Sequence, residues 1–561
     1  MVTPTAAQLQ IRDHPGLDLV VVAPAGCGKT EALAFRIQGL LDRGSVVPPR
    51  KILVTTFSNR ARDNIRDRLR DYLPVGSLRD RVSIANFHGL SARIFQAHAA
   101  AIGLDPRLTI PESDWTGDQC RRRKLRFDAA GEVQRILRVV KQQAVDDQEV
   151  ERLLVVSGNV DAQEIERLRV AEGRLTYDDL PRLAELILQH DAVADLYRSH
   201  FAAVVVDEFQ DLTPQQLRIV QRIGAKRTTY AGDLAQGIYG FAGARPLEID
   251  AAIRAECGEV IEFAESHRSS PAVLDFLNTL ASLTGGKELT SADPVSWPGG
   301  GVAGGMVHGT VGDEADWTVD FARKVLVKAP GQRIGVIARS ASRRRFVDAA
   351  LAASDLRWHR WDDGVLDTDT ARVVKAMLSR LNVAELNAAP DPVEYLRMAS
   401  GIDNVQDPSG REALADALAW CLDLLQQGVS VADVRGRIRI GDESTLITVA
   451  GVHLLTGHAG KGQQFDWVVV VGAEDGAIPD FRANTADELA EEARILAVMI
   501  SRARHGVVIM NAESVPAAST GVPYGKNPSR FWKQLADSEP LGPAEIDKWL
   551  DAADWPAIAA R

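Results

Sequence analysis

The segment VVVAPAGCGKTEALAFRI, residues 20–37, constrains the fold of this chain more than any other stretch. Its three opening valines predict a buried strand, and apolar residues at helical spacing after the turn, Leu33, Ile37 and Leu40, predict a helix. A glycine-rich turn in this setting presents successive backbone N–H groups and the positive end of the helix. The segment therefore predicts a phosphate-binding loop, with a chance glycine-rich turn as the alternative.

The side chains of the turn suit this role individually. Gly26 and Gly28 let the backbone approach phosphate oxygens closely. Lys29 would reach the β- and γ-phosphates as a point charge, and the hydroxyl of Thr30 would ligate Mg²⁺. A stricter form of such a loop has glycine where this chain has Ala23. The loop residues predicted to bind the nucleotide are Ala25, Gly26, Cys27, Gly28, Lys29 and Thr30.

Composition excludes several classes of protein. A chain of 561 residues is too long for one core, and 25% charged with 45% hydrophobic residues is ordinary for a globular protein. No apolar run approaches the ~20 residues of a membrane span, and the first residues lack the features of a signal peptide, so we expect a cytoplasmic protein without a membrane partner. The net charge of −11 leaves room for a narrow basic channel. Four scattered cysteines predict reduced thiols rather than a metal cluster: Cys27, Cys120, Cys257 and Cys421.

Strand-like runs alternate with amphipathic helices in two blocks, which predicts an α/β fold with parallel sheets. The first block contains DLVVVA, KILVTTF, RVSIANF, FAAVVVDEF and TTYAGD, and the second contains RIGVIARS, TLITVAGVHLL, DWVVVVGAED and HGVVIMNAE. Residues 89–199 form a helical, charge-rich interruption of the first block, and residues 351–440 interrupt the second. The glycine-rich segment at 297–305 predicts a flexible crossing between the blocks.

A second motif, VVVDEFQD at residues 204–211, ends a buried strand with two carboxylates. Ligands of α/β proteins bind at the carboxyl ends of such strands. Asp207 would hold Mg²⁺, and Glu208 would orient and deprotonate an attacking water. Alone, the motif would by default be interpreted as an acidic turn after a core strand. Together with the phosphate-binding loop it predicts nucleotide hydrolysis.

Several further segments, in order along the chain, resemble the motifs of superfamily 1 motor ATPases of the UvrD/PcrA/Rep type. TTFSNRARDNI is similar to TFTNKAAxEM, NFHGL to TFHGL, AGDLAQGIYGFAGA to GDxxQSIYxFRGA and ESHRSS to NYRS. LLTGHAGKGQQFDWVVVVG is similar to TxHxxKGLEF, and AVMISRARHGVVIM to VAxTRAxxxLxL. The resemblance spans nearly the whole chain, and several ordered matches are far more specific than one.

The resemblance implies two RecA-like parallel-sheet domains, each with a helical insertion. Residues 1–88 and 200–262 would form the ATP-binding domain 1A, with residues 89–199 as insertion 1B. Residues 263–350 and 441–535 would form domain 2A, with residues 351–440 as a 2B-like insertion and residues 536–561 as a C-terminal tail. The stretch between Arg339 and Thr456 is much shorter than in full-sized members, so the 2B-like insertion is expected to be reduced.

In this family ATP lies between the two domains, and the resemblance implies roles for residues of both. Arg268 and Arg502 match arginines that contact the γ-phosphate, where a planar guanidinium spans the charged oxygens. Gln236 would contact the γ-phosphate and report its loss to the DNA side. Three further positions match nucleotide contacts: Gln8 at adenine, His267 in place of a stacking tyrosine, and Gln464 in place of a glutamate at the ribose.

The resemblance also implies contacts to single-stranded DNA, which aromatic side chains in a positive groove hold by stacking. Ala242 stands where the family has an arginine, which weakens one link between nucleotide and DNA. Basic runs at 120–127 and 342–345 are candidate phosphate contacts, although such runs are typical of solvated faces. The residues implied to bind DNA are Phe57, Asn59, His88, Tyr239, Phe241 and His458.

The main hypothesis from the sequence is an ATP- and Mg²⁺-dependent translocase and helicase, moving 3′ to 5′ on single-stranded DNA or on DNA with a 3′ tail and acting in DNA repair or other processing. An alternative is a DNA-stimulated ATPase subunit that works with a partner protein, for example in phage defence, and unwinds little alone. A third hypothesis, a nucleotide-binding regulator that does not hydrolyse, fits Glu208, Arg268 and Arg502 poorly.

Overall fold

Six parallel strands form the first sheet. The protein is seen in a computed structural model that describes residues 4–56, 59–109, 115–361, 365–366, 368–402, 408–426, 428–440, 447–458, 461–517 and 521–561. The strands pair in the order β3-β2-β4-β5-β1-β6, so the turns after β4, β5 and β1 share one edge. Their bounds are β1 (Leu19–Val22), β2 (Lys51–Thr56), β3 (Val82–Asn86), β4 (Phe201–Asp207), β5 (Thr228–Gly232) and β6 (Val260–Glu262).

Thirteen helices accompany this sheet within the described part of the chain. They are α1 (Ala6–Asp13), α2 (Lys29–Asp42), α3 (Asn59–Arg70), α4 (Val75–Arg81), α5 (Phe87–His98), α6 (Trp115–Arg122), α7 (Phe127–Lys141), α8 (Asp147–Ser157), α9 (Val160–Ala171), α10 (Asp179–Leu188), α11 (Asp191–His200), α12 (Pro214–Gly224) and α13 (Pro246–Glu256).

Helices cover both faces of the first sheet because alternate residues of each strand point to opposite sides. In β1, Val20 and Val22 pack into a core that includes α5, α10, α11 and α12. Leu19 and Val21 pack into a second core with α1, α2 and α3. The first domain is therefore a three-layer α/β structure, which holds the turn after β1 on a rigid support.

The first insertion has a small core of its own. Helices α6 to α9 contribute apolar residues such as Val133, Leu154 and Ile165. A buried ion-pair network joins this bundle to α10, since Lys141 Nζ lies 2.9 Å from Asp179 and 2.7 Å from Glu166. Helices α5, α10 and α11 instead pack on the first sheet.

The second sheet has seven strands and carries the second block of the sequence. Its order is β11-β14-β10-β15-β16-β17, with β9 also paired to β16. All its pairs are parallel except β16 with β17. Two short ladders stand apart, β7 with β8 and β12 with β13. The bounds are β7 (Glu265–Ser266), β8 (Thr290–Ser291), β9 (Val302–Thr310), β10 (Arg333–Ala338), β11 (Trp358–Arg360), β12 (Val365–Leu366), β13 (Arg439–Ile440), β14 (Gly451–Thr456), β15 (Phe465–Val470), β16 (Ala503–Pro516) and β17 (Pro523–Gly525).

The remaining helices cover the second sheet or form the second insertion. Helices α18 to α22 share a separate core that includes Val374, Leu386 and Cys421. The helices are α14 (Pro271–Asn278), α15 (Ala281–Thr284), α16 (Val311–Lys328), α17 (Ala341–Ala352), α18 (Thr368–Leu378), α19 (Val383–Ala388), α20 (Pro392–Ser400), α21 (Pro408–Gln426), α22 (Val431–Arg437), α23 (Ala486–Ile500), α24 (Trp532–Ala536), α25 (Pro543–Ala552) and α26 (Trp555–Ala560).

One sequence expectation is wrong at the crossing between the domains. Residues 302–305, expected to be flexible, begin strand β9, which pairs in parallel with β16 over most of its length. Its glycines permit close packing rather than mobility. A Cβ at Gly304 would overlap Ile546 of α25, and one at Gly305 would lie 3.0 Å from Trp532 of α24. The residues after 536 consequently pack on the second domain, with Ile546 and Trp555 buried in its core.

The predicted fold class, two RecA-like parallel-sheet domains with a helical insertion in each, is confirmed by this architecture. The domain boundaries remain a prediction. Among the described residues, none of the helices combines the length and the apolar character that crossing a lipid bilayer requires.

Candidate nucleotide site and interdomain cleft

The turn after β1 has the backbone shape of a phosphate-binding loop. Gly26 and Gly28 have φ of 86° and 82°, left-handed values that residues with a Cβ rarely adopt. Gly28 is the cap residue of α2, which begins at Lys29. The loop therefore delivers backbone N–H groups and the positive end of α2 to one place.

Two other loop residues have apolar surroundings. Burial raises the pKa of Cys27 to about 12, so its thiol stays protonated, and its N–H donates to Pro24 O at 3.1 Å. Ala25 faces Val498 and Ser501 of the second domain across a small pocket of about 30 Å³. The loop thus lies directly against the second domain.

Lys29 contacts both carboxylates that end β4. Its Nζ is 3.4 Å from Asp207 Oδ1 and forms a closer ion pair with Glu208 Oε2. Glu208 has a φ of 58°, a left-handed conformation that a glutamate adopts only when its surroundings impose it. Gln210 Nε2 donates to Glu208 Oε2 at 2.6 Å, which fixes the carboxylate. The structure thus brings together three of the predicted catalytic residues.

The two carboxylates differ in their electrostatics. Burial raises the pKa of Asp207, and the adjacent Glu208 adds to this effect. Burial also acts to raise the pKa of Glu208, but the positive charges of Lys29 and Lys461 outweigh it and lower that pKa. Glu208 is therefore ionised at neutral pH, the state in which a carboxylate can accept a proton.

Thr30 and Asp207 offer the oxygen atoms that a hard divalent cation such as Mg²⁺ prefers. Thr30 is half-buried in the first turn of α2, next to Lys29, whose ammonium reaches Asp207. The first turn of α2 therefore carries the hydroxyl next to the lysine that reaches the buried carboxylate, and a hydroxyl with a carboxylate is a donor set that fits Mg²⁺ beside phosphate.

Gln8, near the start of the chain, and His267, shortly after β6, both lie against the loop. Gln8 Oε1 accepts from Thr5 N at 2.9 Å, and its Nε2 approaches Gly28 O at 3.5 Å. The His267 N–H donates to Gly26 O at 3.1 Å, while the His267 residue is exposed. Both predicted adenine contacts are thus adjacent to the glycine-rich turn.

Arg268 packs directly on the loop. A Cβ at Gly26 would lie 2.6 Å from Arg268 Cβ, so only glycine fits beneath it. Arg268 Nη1 donates to Ser501 O at 3.4 Å, whereas its buried Nε has no hydrogen-bond partner in the described part of the chain. Burial lowers the pKa of Arg268 to about 10, which leaves the guanidinium charged at neutral pH with an unused donor.

Arg502 is buried in the second domain and reaches Arg268 through a shared residue. Arg502 Nη2 donates to Ser501 Oγ at 2.8 Å, and its Nη1 approaches Gln463 O at 3.5 Å. Since Ser501 O accepts from Arg268, Ser501 joins the two predicted arginines. Gln464, the predicted ribose contact, is half-buried and follows Gln463 directly.

Lys461 of the second domain contacts the turn after β4, on the nucleotide side, and also residues 237–242. We call this second segment the aromatic turn because it carries Tyr239 and Phe241. Its Nζ donates to Asp211 Oδ2 at 2.7 Å and to Gln236 O at 2.8 Å, and lies 4.6 Å from the ring centre of Tyr239. Gln236 Nε2 donates in turn to Asp233 Oδ2 at 2.8 Å. Lys461 therefore connects the turns after β4 and β5 with the second domain.

A cleft of about 1160 Å³ opens between the domains beyond this bridge. One wall is the first-domain segment from Gly237 to Glu248, and the other is formed by the start of α23 and the loop before it. Both acidic and basic side chains line it. Its charged lining residues and histidine are Arg245, Glu248, Arg339, His458, Asp480, Arg482, Asp487, Glu488, Glu491, Glu492 and Arg494.

The structure describes three of the six predicted DNA contacts in full. Tyr239 lies beside Lys461, and His458 lines the cleft. His88 lies elsewhere in the first domain, 5.7 Å from the ring of Tyr177, and burial lowers its pKa so that its ring is neutral. Phe57 lies outside the described residues, and the side chains of Asn59 and Phe241 are likewise not described.

The basic run at 342–345 is mostly not a surface feature. Arg343 is buried between Glu314 and Glu474, 2.7 and 2.6 Å away, so it serves the core of the second domain. Arg344 is buried against Asp348 at 2.8 Å. The expectation of a basic face there is wrong for these two arginines, because carboxylates neutralise both of them in the folded domain: Glu314 and Glu474 at Arg343, and Asp348, four residues on, at Arg344.

The arginines of the first basic run form ion pairs that leave less charge for phosphate. Arg121 pairs with Asp118, and Arg123 Nη1 lies 2.5 Å from Glu164. Arg122 Nη2 lies 2.8 Å from Asp391 of the second insertion. This face therefore contacts the other insertion.

Sequence reasoning missed the residues that join the two domains. Lys461 lies in the motif LLTGHAGKGQQFDWVVVVG, and Asp211 lies in the motif VVVDEFQD. The lysine of the first motif and the third carboxylate of the second were a usable signal. Ser501, Glu491 and Arg494 gave no such signal, because each contact joins a backbone group to a side chain from a distant segment.

Comparisons with known proteins agree with this arrangement. A family model described as the UvrD/REP helicase N-terminal domain matches residues 5–255, and one described as the UvrD-like helicase C-terminal domain matches residues 437–514. The chain is 26% identical to the ATP-dependent DNA helicase UvrD2 of Mycobacterium tuberculosis, over 92% of this chain and 79% of that protein.

Two further relatives extend the match. The ATP-dependent DNA helicase UvrD1 of Mycobacterium tuberculosis is 26% identical, over 99% of this chain and 86% of that protein. The ATP-dependent DNA helicase PcrA of Staphylococcus aureus is 22% identical, over 93% of this chain and 84% of that protein. With both family models matched in order on two parallel-sheet domains, the chain belongs to the UvrD-like DNA helicases of superfamily 1.

Proposed function

We propose that this chain is an ATP- and Mg²⁺-dependent motor that moves 3′ to 5′ along single-stranded DNA and separates duplexes. The observation that carries the proposal is the bridge made by Lys461. It contacts Gln236 and Asp211 on the nucleotide side and Tyr239 on the aromatic turn. A residue with these contacts can transmit the state of the nucleotide to the DNA.

At the nucleotide end, each group has a chemical task. ATP phosphates would take Lys29 from its present carboxylate partners, and Thr30 and Asp207 would hold Mg²⁺, which neutralises charge on the phosphates. Glu208, released from Lys29, would still face the charge of Lys461, which also lowers its pKa, and would accept a proton from the attacking water. Arg268 and Arg502 would stabilise charge on the transferred phosphoryl group.

At the DNA end, the cleft supplies the geometry that a single strand requires. Tyr239 and Phe241 flank Gly240, which lines its first-domain wall, so bases would stack near this wall, and arginines on both walls would face phosphates. Because the walls belong to different domains, closure on ATP and opening after hydrolysis would change the grip on the strand in each cycle. The 3′ to 5′ direction is proposed from the family resemblance.

A second candidate is a DNA-stimulated ATPase subunit that depends on a partner protein for unwinding, in repair or phage defence. The small second insertion favours it. That insertion has a single core of short helices around α21, so it offers little surface for gripping duplex ahead of the strand junction. Each base-pair step costs ~1.4 kcal/mol on average to separate, and a motor without a duplex anchor must rely on fraying ends.

The test is single-turnover unwinding of short duplexes that carry a 3′ tail, a 5′ tail or no tail. We expect ATP-dependent separation of the 3′-tailed duplex alone, because a 3′ to 5′ motor loads on that tail and advances into the duplex. Equal unwinding of 5′-tailed duplex would contradict the direction. ATPase stimulation by DNA without unwinding of any duplex would favour the partner-dependent candidate.

A further inference from the structure

The carboxylate of Glu491 crosses the cleft between the domains. Glu491 of α23 accepts a hydrogen bond from Gly240 N, with its Oε1 2.9 Å away. The contact is tight, because a Cβ at Gly240 would overlap Glu491 Oε2. Gly240 lies between Tyr239 and Phe241, so Glu491 reaches the centre of the aromatic turn.

Two other acidic residues of the cleft are paired with arginines. Glu492 pairs with Arg339 at 2.7 Å, and Asp480 pairs with Arg482 at 2.8 Å. Glu491 forms no ion pair within the described residues, and the neighbouring Arg494 donates through Nε to Gly237 O at 2.8 Å. Burial raises the pKa of Glu491, and the hydrogen bond from Gly240 and the charge of Arg494 oppose this effect only in part.

A backbone N–H beside aromatic rings, in a cleft lined by arginines, is the kind of donor that a DNA phosphate uses. A carboxylate oxygen carries the same charge and accepts the same hydrogen bond. We propose that Glu491 occupies the place of a DNA phosphate at Gly240, and that an entering strand must displace it. The side chain therefore acts as an internal competitor of single-stranded DNA, an inference that rests on the proposed function.

Displacement of Glu491 would also change how α23 is held against the first domain. With Glu491 on Gly240 and Arg494 on Gly237, α23 of the second domain is tied to the first-domain turn at two points. Displacement by a phosphate would remove one tie and leave the other. DNA binding would then loosen the contact between α23 and the aromatic turn, the same turn that follows Gln236.

The test is the affinity of the nucleotide-free protein for a fluorescein-labelled strand of twenty thymidines, measured by anisotropy at low and moderate salt. Glu491→Gln removes the charge but keeps an oxygen that accepts from Gly240 N. We expect it to bind the strand about tenfold more tightly than the wild type, because a like charge at a phosphate position opposes binding. The matched control is Asp487→Asn, which removes a charge from an exposed position on the same helix and cleft; it should change affinity less than about twofold.

The outcomes separate this inference from the proposed function. If the wild type binds the strand but Glu491→Gln binds no better, Glu491 is only a structural tie, and the competitor role is wrong. An equal gain in Asp487→Asn would also overturn it, since the effect would then be general electrostatics. If neither the wild type nor the variants bind the strand, the proposed DNA-binding function fails, and the inference fails with it.

Discussion

Glu208→Gln is expected to lower the kcat for ATP hydrolysis by about 10²- to 10⁴-fold while leaving ATP binding intact, because it removes the proton acceptor but keeps the side-chain shape. The structure supports this role through the lowered pKa of Glu208 and the hydrogen bond from Gln210 that aims its carboxylate. Steady-state hydrolysis and binding of a fluorescent ATP analogue measure the two effects separately.

Lys29→Ala is the informative comparison for this variant. It removes the cation nearest the β- and γ-phosphates, so it should abolish turnover and weaken nucleotide binding together. Glu208→Gln also removes one carboxylate from Lys29, which frees that cation for phosphate. If Glu208→Gln retained more than about a tenth of the wild-type rate, Glu208 would not be the base.

Arg268→Ala is expected to lower kcat by about 10³-fold with ATP affinity within a few-fold of the wild type, since arginines at the γ-phosphate act mainly on transition-state charge. Arg268 packs on Gly26, and its Nε has no hydrogen-bond partner among the described residues, so an unused donor lies at the loop. Single-turnover hydrolysis at saturating ATP measures the chemical step directly. Weakened binding with unchanged kcat would show instead a ground-state contact.

Arg504→Ala is the matched control for Arg268→Ala. Arg504 belongs to the same segment as Arg502, but its guanidinium pairs with Asp466 at 2.9 Å and donates to Arg561 O at 2.8 Å, so its donors are engaged within the second domain. Asp466 keeps a second partner, Arg333 at 3.1 Å, so the control should fold. Its kcat should stay within about threefold of the wild type, since it removes an arginine without touching transition-state charge.

Much of the fold was predictable, because the relevant signals are local. The structure confirms the strands that runs of buried β-branched residues predict, which are β1 to β5, β10, β14, β15 and β16. Strand β9 was not predictable from its composition. Glycines at 304 and 305 indicate flexibility in isolation, and only the helices that pack on them from the end of the chain explain their presence.

The candidate site divides in the same way. Lys29 comes after β1, and Asp207 and Glu208 come at the end of β4 in the same sheet. Because the carboxyl ends of parallel strands share one edge, contact between these three residues was expected. Arg343 and Arg344 look like a solvated basic run in sequence. Arg343 is instead buried between carboxylates that lie far away along the chain, and Arg344 is buried against Asp348 one helical turn on. The bridge by Lys461 and the carboxylate of Glu491 depend on how the domains face each other, which no local pattern records.

In the function proposed here, the nucleotide site and the DNA cleft are coupled through the contacts between the two domains. The most direct measurement is the steady-state ATPase rate of the wild-type protein with Mg²⁺, titrated with single-stranded DNA. We expect single-stranded DNA to stimulate the ATPase rate at least about tenfold. The stimulation should saturate at the DNA concentration at which anisotropy shows the strand bound. A protein that binds the strand but hydrolyses ATP at the same rate with and without it would contradict the account.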